Sequence, residues 1–276
     1  MLLVGNYNHL KIARINAKGA FLSSDQGEIL LPGRLMPKGS EPGSILKVFV
    51  YLDSEERLTA TTARPRAVVG EFAMLSVRDN VTVGTFLEWG LEKDLLLPFG
   101  EQLDPLRRGE RVLVRVYLHS SGRIAASAKL EKFLRPADDT IAEGDEVELL
   151  VHAFTDLGAK VIVNDAFGGL LFNNELYTKP SCGDRLKGYV RKIRDDGKLD
   201  ITLRKGGAQD AATDRELLLK ALEAQGGSLP LTDKSPPEAI AGLLKISKKS
   251  FKKALGGLYK EGLVAIGTDG IRLKTR

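Results

Sequence analysis

Cysteine is nearly absent. Cys182 is the only one among 276 residues, so no internal disulfide can staple the fold, and a lone thiol suits a reducing compartment. Histidine is almost as scarce: His9, His119 and His152 stand far apart. No Ser/His/Asp, paired-Cys or Gly-Lys-Ser spacing accompanies them, which argues against catalysis and against a cofactor or metal. Asp195-Asp196-Gly197-Lys198, the one acidic stretch that suggests a divalent ion, lies between two strand-like runs and reads as a hairpin turn. No apolar run approaches the roughly 20 residues that cross a bilayer, and Met1-Leu2-Leu3-Val4 lacks the length and basic start of a secretory signal. The expectation is a cytoplasmic protein that is not an enzyme.

What the chain does have is repetition. Gly19-Ala20-Phe21-Leu22 returns as Gly84-Thr85-Phe86-Leu87, Leu30-Leu31-Pro32 as Leu96-Leu97-Pro98, and Tyr51-Leu52-Asp53-Ser54 as Tyr117-Leu118-His119-Ser120. A third, more diverged copy keeps the order with Gly158-Ala159-Lys160-Val161, Gly169-Leu170-Leu171-Phe172 and Leu199-Asp200-Ile201-Thr202. Within a copy the apolar residues alternate in short runs separated by Gly, Pro, Asp and Ser, which predicts five strands. A five-stranded unit of this length suits a small closed barrel of OB type, because closure removes exposed edges. Ala67-Val68-Val69-Gly70 joins the first two copies without a linker. Units this small gain from neighbour contacts, so a compact string is expected rather than tethered beads.

The residues Gly19-Ala20-Phe21-Leu22 with Gly43, Asp53 and Arg57-Leu58 resemble the RNA-binding module named after ribosomal protein S1, as do Gly84-Thr85-Phe86-Leu87 with Gly109-Glu110-Arg111-Val112 and Gly122-Arg123-Ile124. The third copy resembles a divergent member, with Lys160 where an aromatic residue would stand. Many such modules carry His after the third strand; here Gly33, Phe99 and Asn173 stand at or near that place.

Past Arg204 the pattern changes. Gly206-Gly207-Ala208-Gln209-Asp210 is a polar joint, and Arg215 to Leu222 has helical spacing, so a new domain is expected near residue 211. Pro236-Pro237-Glu238 opens a second helix through Leu244. Ser247 caps a third, running from Lys248 to Glu261 and stopped by Gly262; Leu263 to Ile266 and Gly270 to Leu273 then read as a hairpin. Three helices and a hairpin make a winged helix. The predicted fold is mainly β with a C-terminal α+β domain: barrels over 1–68, 69–135 and 141–206, then a winged helix over 211–276.

End to end, this order is similar to the CvfB/YitL family of bacterial proteins. Val83 to Pro98, Gly169 to Glu175, Asp233 to Ile240 and Ser247 to Lys260 carry the match. The resemblance implies nucleic-acid binding, mainly to RNA, with effects on the regulation of gene expression.

The formal net charge is only +5. From residue 211 onward, however, twelve Lys and Arg face seven acids, while the rest of the chain is balanced. The C-terminal domain is therefore the electrostatic footprint for phosphate, with Lys248, Lys249, Lys252 and Lys253 at its centre. In the barrels, Phe21 and Phe86 are the expected base stackers, because Leu22 and Leu87 beside them must point to the opposite face. The alternative is that each Phe fills a small core between modules. Arg57 and Arg123 hold the site where the resembled module has a basic residue before its last strand, which implies phosphate contact; Lys160 is counted as a nucleic-acid-binding residue of the third copy; and Trp89, in phase with Leu87, is read as packing.

The leading expectation is a single-stranded RNA-binding regulatory or accessory protein. The alternative is a duplex-DNA transcription factor acting through the winged helix. Against it, Lys248 to Lys260 offers no Arg, Asn or Gln for bidentate base reading. A contact of the winged helix with the ribosome or another protein, and binding of single-stranded DNA, remain open at this point.

Overall fold

The computed structural model describes residues 1–176, 180–205 and 208–274. Its first compact unit is Met1–Phe133 and its second is Leu134–Arg276.

The first unit holds two closed barrels. One is formed by β1 (Tyr7–Asn16), β2 (Gly19–Ser24), β3 (Gly27–Pro32), β4 (Ile45–Leu52) and β5 (Leu58–Thr61), in the cyclic order β1-β2-β3-β5-β4. The other repeats that order with β6 (Phe72–Val81), β7 (Gly84–Glu88), β8 (Leu95–Pro98), β9 (Arg111–Leu118) and β10 (Ile124–Ser127). In the second unit β11 (Glu146–Thr155), β12 (Gly158–Val163), β13 (Phe167–Phe172), β14 (Arg185–Ile193) and β15 (Leu199–Thr202) close a third. In all three the last strand runs parallel to the third and seals the barrel. Alternation puts Leu22, Leu87 and Val161 in the cores and leaves Phe21, Phe86 and Lys160 half-buried on the other face.

Two local devices explain why the three copies share a signature. Directly opposite Phe21, Phe86 and Lys160 the first strand of each barrel bulges, between Ile12 and Arg14, Val77 and Asp79, and Val151 and Ala153. A bulge raises the local twist and re-aims side chains, here at the position where the module carries its variable residue. The Gly that opens each second strand is required by close approach. A Cβ on Gly19, Gly84 or Gly158 would stand 2.1, 2.4 or 2.2 Å from the carbonyl oxygen of Leu31, Leu97 or Leu171.

The first two barrels share a core. Phe49 lies on β4 yet packs in the same cluster as Leu87, Trp89 and Val114 of the second barrel. Its ring is fully buried and meets Trp89 edge-on at 5.7 Å, Tyr7 at 5.9 Å and Tyr51 at 6.2 Å. The Val69 N–H donates to the Gly5 carbonyl at 2.9 Å and the Arg66 N–H to the Trp89 carbonyl at 2.6 Å, so the joining segment is hydrogen-bonded to both barrels.

In the second unit α1 (Ala208–Ala224), β16 (Ser228–Leu229), α2 (Pro237–Leu244), α3 (Lys248–Lys260), β17 (Val264–Ile266) and β18 (Ile271–Leu273) follow the third barrel. Gly206 and Gly207 of the expected polar joint, and Arg276 of the basic tail, lie outside the described residues. The second and third helices and the hairpin fall where the Pro236-Pro237 start and the Ser247 cap place them, but α1 starts earlier than the sequence pattern suggests: Ala208, Gln209 and Asp210, expected in the joint, open the helix, because residues without apolar periodicity can extend a helix at its N-terminus. The Ser247 Oγ accepts from the Ser250 N–H at 3.0 Å. The sheet gains a short strand, β16, ahead of α2, giving the order β16-β18-β17. Leu218, Leu222, Ile240, Phe251, Leu255, Leu258 and Ile271 form the core. Arg204, just past β15, donates to the Asp214 carboxylate of α1 at 2.5 and 2.9 Å and to the Ser250 Oγ at 3.3 Å, fastening the barrel's exit to the helices. Among the described residues no helix is long and apolar enough to cross a membrane.

Candidate nucleic-acid interface

The three equivalent barrel positions differ in chemistry. The Phe21 ring is already partnered: the Arg14 guanidinium lies 3.8 Å from its centroid and is itself held by Glu28 at 2.6 Å. One face of the ring is therefore covered. Lys160 is aligned across the strands with Leu170 and Asp200, and Asp200 is paired with Arg194 at 2.5 Å, so the third copy offers no aromatic face here.

Phe86 opens onto a cleft of about 490 Å³. Its walls combine Phe86, Trp89, Leu96 and Ile124 of the second barrel with Tyr51 and Leu52 of the first, and His119, Ser121 and Arg123 stand at its edge. Phe86 thus sits between modules, against an open cleft rather than in a closed core. Trp89 packs as expected. Its indole N–H donates to the Lys93 carbonyl at 2.6 Å, and the ring is 3% exposed.

The two predicted arginines are placed differently. Arg57 is neutralised within its own turn by Asp53 at 2.9 Å and Glu55 at 2.5 Å. Burial pushes the Asp53 carboxyl up, but hydrogen bonds from the Arg57 backbone and side chain outweigh it and hold the group below its usual range. Arg123 has no acid in its turn, because His119 stands where the first copy has Asp53. It reaches instead to Glu56 of the first barrel. Lys93 braces the same seam, donating to the Leu52 and Asp53 carbonyls at 3.0 Å each. Burial and then the nearby Arg123 charge lower its ammonium pKa. Sequence reasoning counted His119 among scattered histidines. The signal that could have found it was its alignment with Asp53 in the repeat.

On α3, Lys248, Lys249, Lys252 and Lys253 span an arc of roughly 140° at 3.6 residues per turn, opposite the buried face of Phe251, Leu255 and Leu258. Lys248 Nζ donates to the Lys234 carbonyl at 3.4 Å. Among the described residues no ion pair engages Lys249, Lys252 or Lys253, and the first turn of α3 holds no acid. Four like charges on one helical surface repel one another, so the cluster is not a stabilising device. Among the described residues no group of three His, Cys, Asp or Glu side chains is placed to hold a metal.

Barrels of this topology followed by a winged helix define a class of modular protein built from S1-type and winged-helix units. Residues 4–63 match the S1 domain and residues 216–273 the CvfB-like winged helix domain. YitL of Bacillus subtilis (strain 168) is 29% identical over 255 residues, covering 89% of this chain and 85% of that protein. Conserved virulence factor B of Staphylococcus aureus (strain N315) is 24% identical over 283 residues, covering 98% and 94%. Over most of its length the chain is similar to members of the CvfB/YitL family. A solved structure of a multidomain protein with nucleic acid binding domains from Streptococcus pneumoniae TIGR4 aligns over 98% of both chains at 24% identity, with a TM-score of 0.42.

Proposed function

We propose that this protein binds single-stranded RNA and acts as a regulatory or accessory factor in gene expression after transcription. The observation that carries the reading is the meeting of Phe86 and Arg123 at one open cleft on an S1-type barrel, an aromatic platform beside a guanidinium. OB-type barrels hold unpaired bases by stacking them on such rings, while cations beside them follow the backbone. The lysines of α3 add phosphate contacts that do not depend on sequence. Duplex reading has less support, because the exposed charge on α3 is lysine, which forms no bidentate pair of the Asn or Gln kind with a base edge.

The test is Phe86→Ala assayed by fluorescence anisotropy with an unstructured RNA oligonucleotide. Losing one stack costs about 1–3 kcal/mol, or roughly 5- to 150-fold in Kd. Phe21→Ala should lose less, since Arg14 already covers one face of that ring. Wild-type affinity in Phe86→Ala, with an unchanged melting curve, would remove the stacking role.

A further inference from the structure

We propose that the cleft between the first two barrels is a composite nucleotide site, in which an unpaired base stacks on Phe86 against a wall supplied by the first barrel, and Arg123 exchanges Glu56 for the adjoining phosphate. The inference rests on the RNA-binding reading and adds to it: two barrels make one site, and an acid of the first sets the affinity of the second.

The argument starts from the repeat. At equivalent positions the first copy has Asp53 and Arg57, the second His119 and Arg123. Asp53 takes hydrogen bonds from Arg57 Nε at 3.0 Å and Nη2 at 2.9 Å, so that guanidinium is committed. His119 cannot replace the acid. Its Nδ1 accepts the Ser121 backbone N–H at 3.2 Å and lies 2.9 Å from the Ser121 Oγ, which leaves the proton of the neutral ring on Nε2 as a donor at the cleft's edge. Arg123 is therefore free of its own turn and pairs across the seam with Glu56, the two side chains being 56% and 65% exposed. An exposed pair of this kind is weak, whereas a phosphate is gripped by the planar guanidinium in bidentate fashion.

The rest of the site fits the same ligand. The first barrel's wall is fixed rather than loose, because Lys93 ties the Leu52 and Asp53 carbonyls to the second barrel. Apolar and aromatic faces line the interior, and donors stand at the rim: Arg123, the His119 Nε2–H and the Ser121 hydroxyl. An apolar slot with a cationic, donor-rich rim matches a nucleotide, a flat base joined to an anion. Neither other copy repeats it, since Arg14 covers Phe21 and the third has Lys160 in place of the aromatic.

The chain's sole tryptophan, Trp89, is packed in the core that borders this cleft, so filling the cleft changes the surroundings of its indole. The full-length protein is titrated with an unstructured 5′-labelled RNA, reading label anisotropy for total binding and Trp89 fluorescence for occupancy of the cleft. Both signals should change with the same Kd. Glu56→Gln should tighten binding by about two- to fivefold at low salt, and the gain should vanish in the Glu56→Gln, Arg123→Gln double variant. Both residues are exposed, so melting curves should match wild type. Binding by anisotropy with unchanged Trp89 fluorescence overturns the cleft assignment while leaving RNA binding intact. An equal gain from Glu56→Gln with and without Arg123 overturns the exchange of partners. No anisotropy change for any RNA ends both readings.

Discussion

Truncating Phe49 to Ala should unfold more than the barrel that carries it. The ring is fully buried, lies on β4 of the first barrel, and packs in the core of the second. Removing a buried Phe costs about 3–5 kcal/mol through lost transfer energy and the cavity left behind. Here the upper half of that range applies, because three aromatic neighbours lie at 5.7, 5.9 and 6.2 Å, within the spacing at which such pairs add about 0.5–1.5 kcal/mol each. A loss of about 4–5 kcal/mol lowers the melting temperature of a unit this size by roughly 10–20 °C. Phe49→Leu keeps most of the apolar volume and should cost only about 1–1.5 kcal/mol. The assay is urea unfolding followed by Trp89 emission, since the indole meets Phe49 edge-on, alongside calorimetry of the same samples. In wild type the two barrels should unfold in one transition, and in Phe49→Ala they should move together. Separate transitions in wild type, or a cost below about 1 kcal/mol for Phe49→Ala, would refute the shared core.

Replacing Lys248, Lys249, Lys252 and Lys253 with Ala should reduce the steepness of the salt dependence of RNA binding with little change in base preference, by about 0.7 unit of log–log slope for each phosphate of the single strand no longer neutralised; an unmoved slope in a salt titration would make α3 a protein-contact surface. Arg204→Ala strands the Asp214 carboxylate, 4% exposed, and should destabilise the second unit by about 3–5 kcal/mol in chemical denaturation. Asp53 titrates below its ordinary range in the folded protein, so its contribution to stability is present above the unfolded value of about 3.9 and is lost as pH falls through the lower folded value. Asp53→Asn should therefore flatten the acid limb of stability measured between about pH 5 and pH 2, and parallel limbs for the two proteins would show that Arg57 contributes nothing there.

Much of this architecture was legible in the sequence because each signal was local. Strand alternation, the recurring Gly before each second strand, Pro at the start of α2 and Ser247 at the cap of α3 are short-range rules that tertiary context did not override. The strand β16 was missed because two residues carry no periodicity; only pairing with β18 makes Ser228 and Leu229 a strand. Alternation also placed Phe21 and Phe86 on the non-core face. What it could not do was tell them apart, since the cation over Phe21 comes from Arg14 across a bulge. The cleft was hidden for a similar reason: Tyr51 and Leu52 belong to one copy and Phe86 and Arg123 to the next, and reading each copy alone leaves the seam unseen. Arg57 and Arg123 looked equivalent by position, and the difference between them lay in Asp53 against His119, a substitution whose consequence depends on an acid from the neighbouring barrel.

The most direct test of the account is the affinity of the intact protein for matched single-stranded RNA, single-stranded DNA and duplex DNA oligonucleotides, measured by anisotropy at low and at high salt. Stacking predicts that single-stranded RNA binds most tightly and that its advantage over duplex persists as salt rises, because base–aromatic contact is screened far less than phosphate attraction. Tighter binding of the duplex at both salt concentrations would contradict it and would move the function to the winged helix.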